Sequence, residues 1–142
     1  MNYFLMDTDV VSHIARNSPE GRYYRSELNR LAATGRLPAM SQAVCEEILR
    51  GQQQGTPTTD DHQRQRSIAE RFWQQSQGFP RSAEVLAEAS KISQEANLAP
   101  GTHQHDLETA ATARLYDMPL VTNDRRSFPH IQGLDVRTCD AT

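Results

Sequence analysis

At 142 residues the chain has the length of one domain and can bury a sizeable core. A net charge of −3 with 37% hydrophobic residues argues against a generic polyanion binder, and no apolar run nears the roughly 18 residues of a membrane span. The start lacks a basic region followed by a long apolar one, so no secretory signal is expected and the compartment reads as cytoplasmic. The basic residues are fourteen arginines and a single lysine, Lys91. Arginine forks suit phosphates and carboxylates, although GC-rich coding explains the same bias. Cys45 and Cys139 lie far apart, form no metal or redox motif, and read as core thiols rather than a disulfide.

In chain order, Tyr3 to Met6 reads as a strand buried on both faces, ending abruptly at Asp7 and Asp9. Val10 to Ala15 reads as a short helix with Asp9 as its N-cap. Pro19-Glu20 opens a second helix, Gly21 to Thr34, with Tyr24, Leu28 and Leu31 on one face and Gly35 closing it. Leu37 to Ser41 reads as a second strand despite Pro38, and a helix is expected from Gln42 to about Gln54. A loop over 55–60 leads to a polar helix over 61–77, whose Ile68, Phe72 and Trp73 are expected in a core or dimer contact. A very short strand is expected within 78–81. Ser82 then caps a helix bearing Val85, Ala89, Ile92 and Ala96, and Leu98 to Gln104 is a Pro-Gly loop. An alanine-rich helix over 106–116, a buried strand over 118–122 and a last strand over 134–137 complete the chain. Strands alternating with helices predict an α/β fold with a mostly parallel sheet flanked by helices.

Four carboxylates stand out by position. Asp7 ends the first strand, Glu47 lies on the helix after the second, Asp106 opens the alanine-rich helix, and Asp124 follows the strand ending at Thr122. Open parallel sheets bind ligands at their strand C-termini, where Asp7 and Asp124 can meet. Such a cluster repels itself unless a cation neutralises it, and oxygen ligands favour Mg²⁺ or Mn²⁺ over zinc. The reaction class implied is metal-assisted phosphodiester hydrolysis. Each residue also has a plainer reading: Asp106 as a cap, Asp124 as a turn residue, Glu47 as a solvated neighbour of Glu46. Asp7 fits such a reading least, because a carboxylate ending a buried strand is costly without a partner.

The same residues carry a resemblance. Met6-Asp7-Thr8-Asp9, the stretch Ser41 to Gly51 with a glutamate four residues before glycine, Asp106 leading into Ala-Ala-Thr, and Leu120-Val-Thr-Asn-Asp124 through Phe128 resemble, in order, the motifs of PIN-domain ribonucleases. Among these the chain is most similar to VapC-type toxins of bacterial toxin–antitoxin pairs, over residues 1–142 apart from a divergent part at about 52–80. The register of the second motif selects Glu47 over Glu46. The resemblance implies endonucleolytic RNA cleavage in an acidic pocket holding Mg²⁺ or Mn²⁺. Asp7, Asp106 and Asp124 would be the metal ligands, and Glu47 would complete the pocket as a ligand or by orienting water. Thr122 would support the site, and Arg125 and Arg126 would hold RNA phosphates or form a solvated turn. It further implies a homodimer and a cognate VapB-type antitoxin that blocks the pocket. Ser127 departs from the aspartate that often precedes the family's phenylalanine.

Other readings stay open. His103 and His105 flank the approach to Asp106, but His13, His62 and His130 are scattered and no third histidine has ligand spacing for zinc. A haloacid-dehalogenase-like phosphatase would use Asp7 as nucleophile and Asp9 as general acid, but Lys91 sits mid-helix and the expected late acidic pair is missing. A non-catalytic module binding RNA or antitoxin is the third reading.

Overall fold

The computed structural model describes residues 2–16, 18–50, 60–74, 78–124, 128 and 131–138. The strands are β1 (Tyr3–Met6), β2 (Leu37–Ser41), β3 (Gly78–Phe79), β4 (Leu120–Val121) and β5 (Val136–Arg137). The helices are α1 (Thr8–Arg16), α2 (Pro19–Ala33), α3 (Gln42–Leu49), α4 (Asp60–Gln74), α5 (Ala83–Ala96) and α6 (Pro100–Leu115). The strands form one sheet in the order β3-β2-β1-β4-β5, and every pairing is parallel.

The side-chain alternation of β1 explains why helices cover both faces. Phe4 and Met6 point into a core with Val10, Val11, Tyr24, Leu31, Val44 and Ile48, supplied by α1, α2 and α3. Leu5 points the other way, into a core with Val85, Ala89, Ile92, Leu107 and Ala110 from α5 and α6. Pro38 fits β2 because it pairs with Phe4 on one side, whereas β3 joins the other side only at Met40 and Ser41. The missing N–H therefore leaves no gap in the ladder. Helices α1 and α2 cross so closely that a Cβ on Gly21 would lie 2.1 Å from the His13 carbonyl oxygen. Only glycine permits that approach.

Several expectations change. Asp9 is not the N-cap of α1, because the helix already begins at Thr8 and Asp9 lies in its first turn. Asp7 is the residue immediately before the helix, and its Oδ1 accepts the Thr8 N–H at 2.9 Å. Helix α3 ends at Leu49; the predicted extension to Gln54 and most of the 55–60 loop lie outside the described residues, as do Arg125, Arg126, His130 and Cys139. Ile68 and Phe72 pack against the core, but Trp73 is 41% exposed. The Pro-Gly loop is largely helical: α6 starts at Pro100, a residue tolerated in a first turn, and kinks at His103. Asp106 thus lies in the first turn of the helical segment after the kink, close to the helix start expected from the sequence. Cys45 is a buried free thiol, with burial pushing its pKa up to about 11.

Candidate active site

The strand order places the site. From β1 the chain moves outward through β2 and β3 on one side, then returns to lay β4 and β5 on the other. The crevice beyond the C-termini of β1 and β4 is therefore the switch point at which such sheets bind ligands. Asp7 is the first residue past β1 and Thr122 the first past β4.

Asp7 extends the ladder by donating its N–H to the Val121 carbonyl at 3.0 Å. Its carboxylate accepts the Thr8 N–H and, at 2.9 Å, the Thr122 hydroxyl. That hydroxyl also accepts the Asp124 N–H at 3.0 Å, so one side chain ties the Asp7 carboxylate to the backbone of Asp124. The Asp9 carboxylate accepts the Asn123 N–H at 3.2 Å. The Tyr24 hydroxyl, from α2, stands 2.9 Å from the Thr122 carbonyl oxygen and 2.8 Å from Asn123 Oδ1. The turn leaving β4 is thus held by α1 and α2 together.

These carboxylates are under electrostatic stress. Burial raises the Asp7 pKa well above the usual carboxylate value, the charges of Asp9 and Asp106 add to the rise, and the bonds from Thr122 and Thr8 oppose it. Burial likewise raises Asp9 to about 6; the Asn123 bond opposes the rise and the charge of Asp124 adds to it. Asp7 therefore lies within electrostatic reach of Asp9 and Asp106, and Asp9 within reach of the exposed Asp124.

Helix α3 sorts its two adjacent glutamates. Glu47 Oε2 is 3.1 Å from His105 Nδ1, and both residues, with Asp106, line a cavity of about 310 Å³. Glu46 turns away to Arg81, whose hydrogen bonds hold its carboxyl down at about 2. Among the described residues, no three histidine, cysteine, aspartate or glutamate side chains are gathered tightly enough to hold a metal ion as they stand. Also among them, no helix is long and apolar enough to cross a membrane. Lys91 is 68% exposed on the outer face of α5, 4.0 Å from Glu88, and so does not serve as the lysine of a phosphatase centred on Asp7.

Two contributors carried little signal in the sequence. Tyr24 reads there as a core residue of an amphipathic helix, and Asn123 as a turn residue, because their partners are distant in the chain.

The PIN domain family model matches residues 4–134. The chain belongs to the PIN domain family. This membership replaces the haloacid-dehalogenase alternative. The PIN fold is also shared with a chain of VapBC2 from Rickettsia felis bound to a DNA fragment from their promoter: TM-score 0.70, 20% identity, over 97% of this chain and 99% of that one. DNA-bound VapBC from Salmonella typhimurium gives a TM-score of 0.69 and 22% identity over 97% and 98% of the two chains. A chain of FitAB bound to an IR36 DNA fragment gives 0.71 and 25% over 95% and 94%. No curated protein matches the chain.

Proposed function

We propose that this PIN domain is a metal-dependent endoribonuclease of the VapC type. The observation that carries the reading is the stressed pair Asp7 and Asp9 at the β1/β4 switch point, with Asp106 and Asp124 in reach. Their donor atoms are all carboxylate oxygens, the chemistry that Mg²⁺ or Mn²⁺ takes, and a cation would relieve the repulsion that raises Asp7. Asp7, Asp106 and Asp124 would hold the ion. Bound there, Mg²⁺ or Mn²⁺ would supply Lewis-acid polarisation of a phosphodiester and neutralise charge developing on its oxygens.

The chain's own residues do the rest. The Thr122 hydroxyl and Thr8 N–H orient the Asp7 carboxylate and leave its remaining lone pairs facing the crevice. With Glu47 Oε2 engaged by His105, Oε1 takes the proton of the attacking water. The cavity beside Glu47 and Asp106 receives the RNA strand. From sequence alone, Arg125 and Arg126, next to Asp124, are given the role of holding RNA phosphates.

Likeness to chains of the VapBC and FitAB complexes supports a cognate VapB-type antitoxin. We further propose that it blocks the acidic crevice and that the chain acts as a homodimer in the cytoplasm. The test is incubation of the purified chain with total cellular RNA, with Mn²⁺ or Mg²⁺ and with excess chelator. Discrete fragments that vanish with chelator are expected; intact RNA at every metal concentration tried favours a non-catalytic, antitoxin-binding module.

A further inference from the structure

Arg81 lies outside the acidic crevice, between β3 and the Ser82 cap of α5, yet it bonds to α3, which carries Glu47, and to α6, which carries Asp106. Its Nη2 and Nη1 donate to Glu46 of α3 at 2.7 and 3.2 Å, a bidentate fork. Its Nε donates to Glu108 of α6 at 2.5 Å. Its backbone N–H is anchored as well, donating at 2.7 Å to Gln42 Oε1 in the first turn of α3. The remaining oxygens are occupied too: Gln42 Nε2 donates to Glu46 Oε2 at 3.1 Å and Gln104 Nε2 to Glu108 Oε2 at 2.7 Å. The Glu108 side chain is only 6% exposed, and the guanidinium is a counter-charge bonded to it.

We propose that Arg81 is a positioning residue, clamping α3 to α6 and thereby setting the separation of Glu47 and Asp106. The inference rests on the metal-dependent reading of the crevice. Glu46 adjoins Glu47, and Glu108 lies two residues after Asp106, so the clamp grips each helix within one turn of its functional carboxylate. Helices this short transmit such a constraint as rigid bodies. A second tie, Ser41 Oγ to Thr109 Oγ1 at 3.1 Å, is neutral and lies at the far end of α3 from Glu47. The contact between Glu47 and His105 belongs to the crevice itself. Lysine cannot replace the clamp, because a point charge cannot hold both oxygens of one carboxylate and one of another in a fixed plane.

An ion pair that merely stabilised the fold would act differently, and the protein contains the control. Arg114, toward the other end of α6, bridges Glu88 and Glu95 and donates to the Gln132 carbonyl without touching α3. The experiment is calorimetric titration of Mn²⁺ at 20 °C into the full chain as wild type, Arg81→Gln, Arg81→Lys and Arg114→Gln. The clamp predicts a dissociation constant raised on the order of 10-fold for Arg81→Gln, the usual cost of losing a group that orients metal ligands. Arg81→Lys should fall between it and wild type. Arg114→Gln should melt earlier yet bind Mn²⁺ as wild type does. In RNA cleavage, Arg81→Gln should lower kcat and leave KM unchanged.

Wild-type Mn²⁺ affinity in Arg81→Gln, or an equal loss in Arg114→Gln, overturns the clamp. Should Arg81→Gln fail to fold, Glu46→Gln, which leaves the Arg81–Glu108 pair intact, must show the same weakened affinity. A wild type that binds Mn²⁺ with the predicted Arg81 dependence but cuts no RNA supports the clamp and removes only the nuclease reading. A wild type that binds no Mn²⁺ overturns both.

Discussion

Replacing Tyr24 with phenylalanine isolates one hydroxyl. The ring is fully buried, so its packing survives the change, and only the O–H donor shared between the Thr122 carbonyl and Asn123 Oδ1 is lost. The loss leaves a carbonyl oxygen of a buried residue without that donor, a cost of about 1–2 kcal/mol. For a domain of this size the melting temperature should fall by about 3–8 °C. Equilibrium urea unfolding checks the value: the midpoint should drop while the slope stays unchanged, since the surface exposed on unfolding is the same. Tyr23→Phe is the internal control. Tyr23 is 41% exposed and its hydroxyl stands at a long 3.4 Å from the Thr138 carbonyl, so its loss should cost under ~0.5 kcal/mol. RNA cleavage should fall in Tyr24→Phe alone, because the turn it secures carries the Thr122 hydroxyl that orients Asp7. Equal stability of the two variants would refute the role given to this hydroxyl.

Further outcomes follow from the same contacts. In chelator, Asp9→Asn should be more stable than wild type above pH 7. The folded-state pKa of about 6 exceeds the ordinary 3.8, so the ionised form destabilises the fold by up to about 3 kcal/mol. That advantage should be full above about pH 6 and shrink as the pH falls, disappearing below about 4; thermal melts from pH 8 to 4 would show it, and a pH-independent gap would contradict it. Gly21→Ala should destabilise by about 1–3 kcal/mol or more, because its methyl would meet the His13 carbonyl at 2.1 Å. Gly101→Ala, facing open space in the first turn of α6, should be neutral or stabilise by up to ~1 kcal/mol in the same urea assay.

What the sequence made legible was local. The run from Tyr3 to Met6 announces a doubly buried strand by composition alone, and the Ser82 cap shows in the spacing of the residues after it; its hydroxyl accepts the Val85 N–H at 3.1 Å. Among the described residues, each strand and helix was expected near its observed place, since hydrophobic period and turn chemistry act within a few residues. The errors lie where tertiary context outweighs them. Pro100 and Gly101 read as a loop, yet Pro is compatible with a first helical turn and α5 offers α6 a packing face, so the helix extends back to Pro100. Asp9 reads as a cap because the strand boundary was placed correctly but the helix starts at Thr8, two residues before the expected Val10. Among the site residues, Asp7 was legible as a carboxylate ending a buried strand. Tyr24 was not, because the residue it supports lies 98 positions away. Arg81 was equally hidden, since nothing local marks an arginine whose partners are on two other helices.

The measurement closest to the central claim is RNA cleavage by wild type and Asp7→Asn side by side, in Mn²⁺, each first shown to be folded by its thermal melt. Asp7 ionised is a strained group, so the variant should melt at or above the wild-type temperature in chelator. The account predicts discrete fragments from wild type and none from this stable variant. Cleavage by Asp7→Asn at the wild-type rate would contradict it and move the active site away from the β1/β4 crevice.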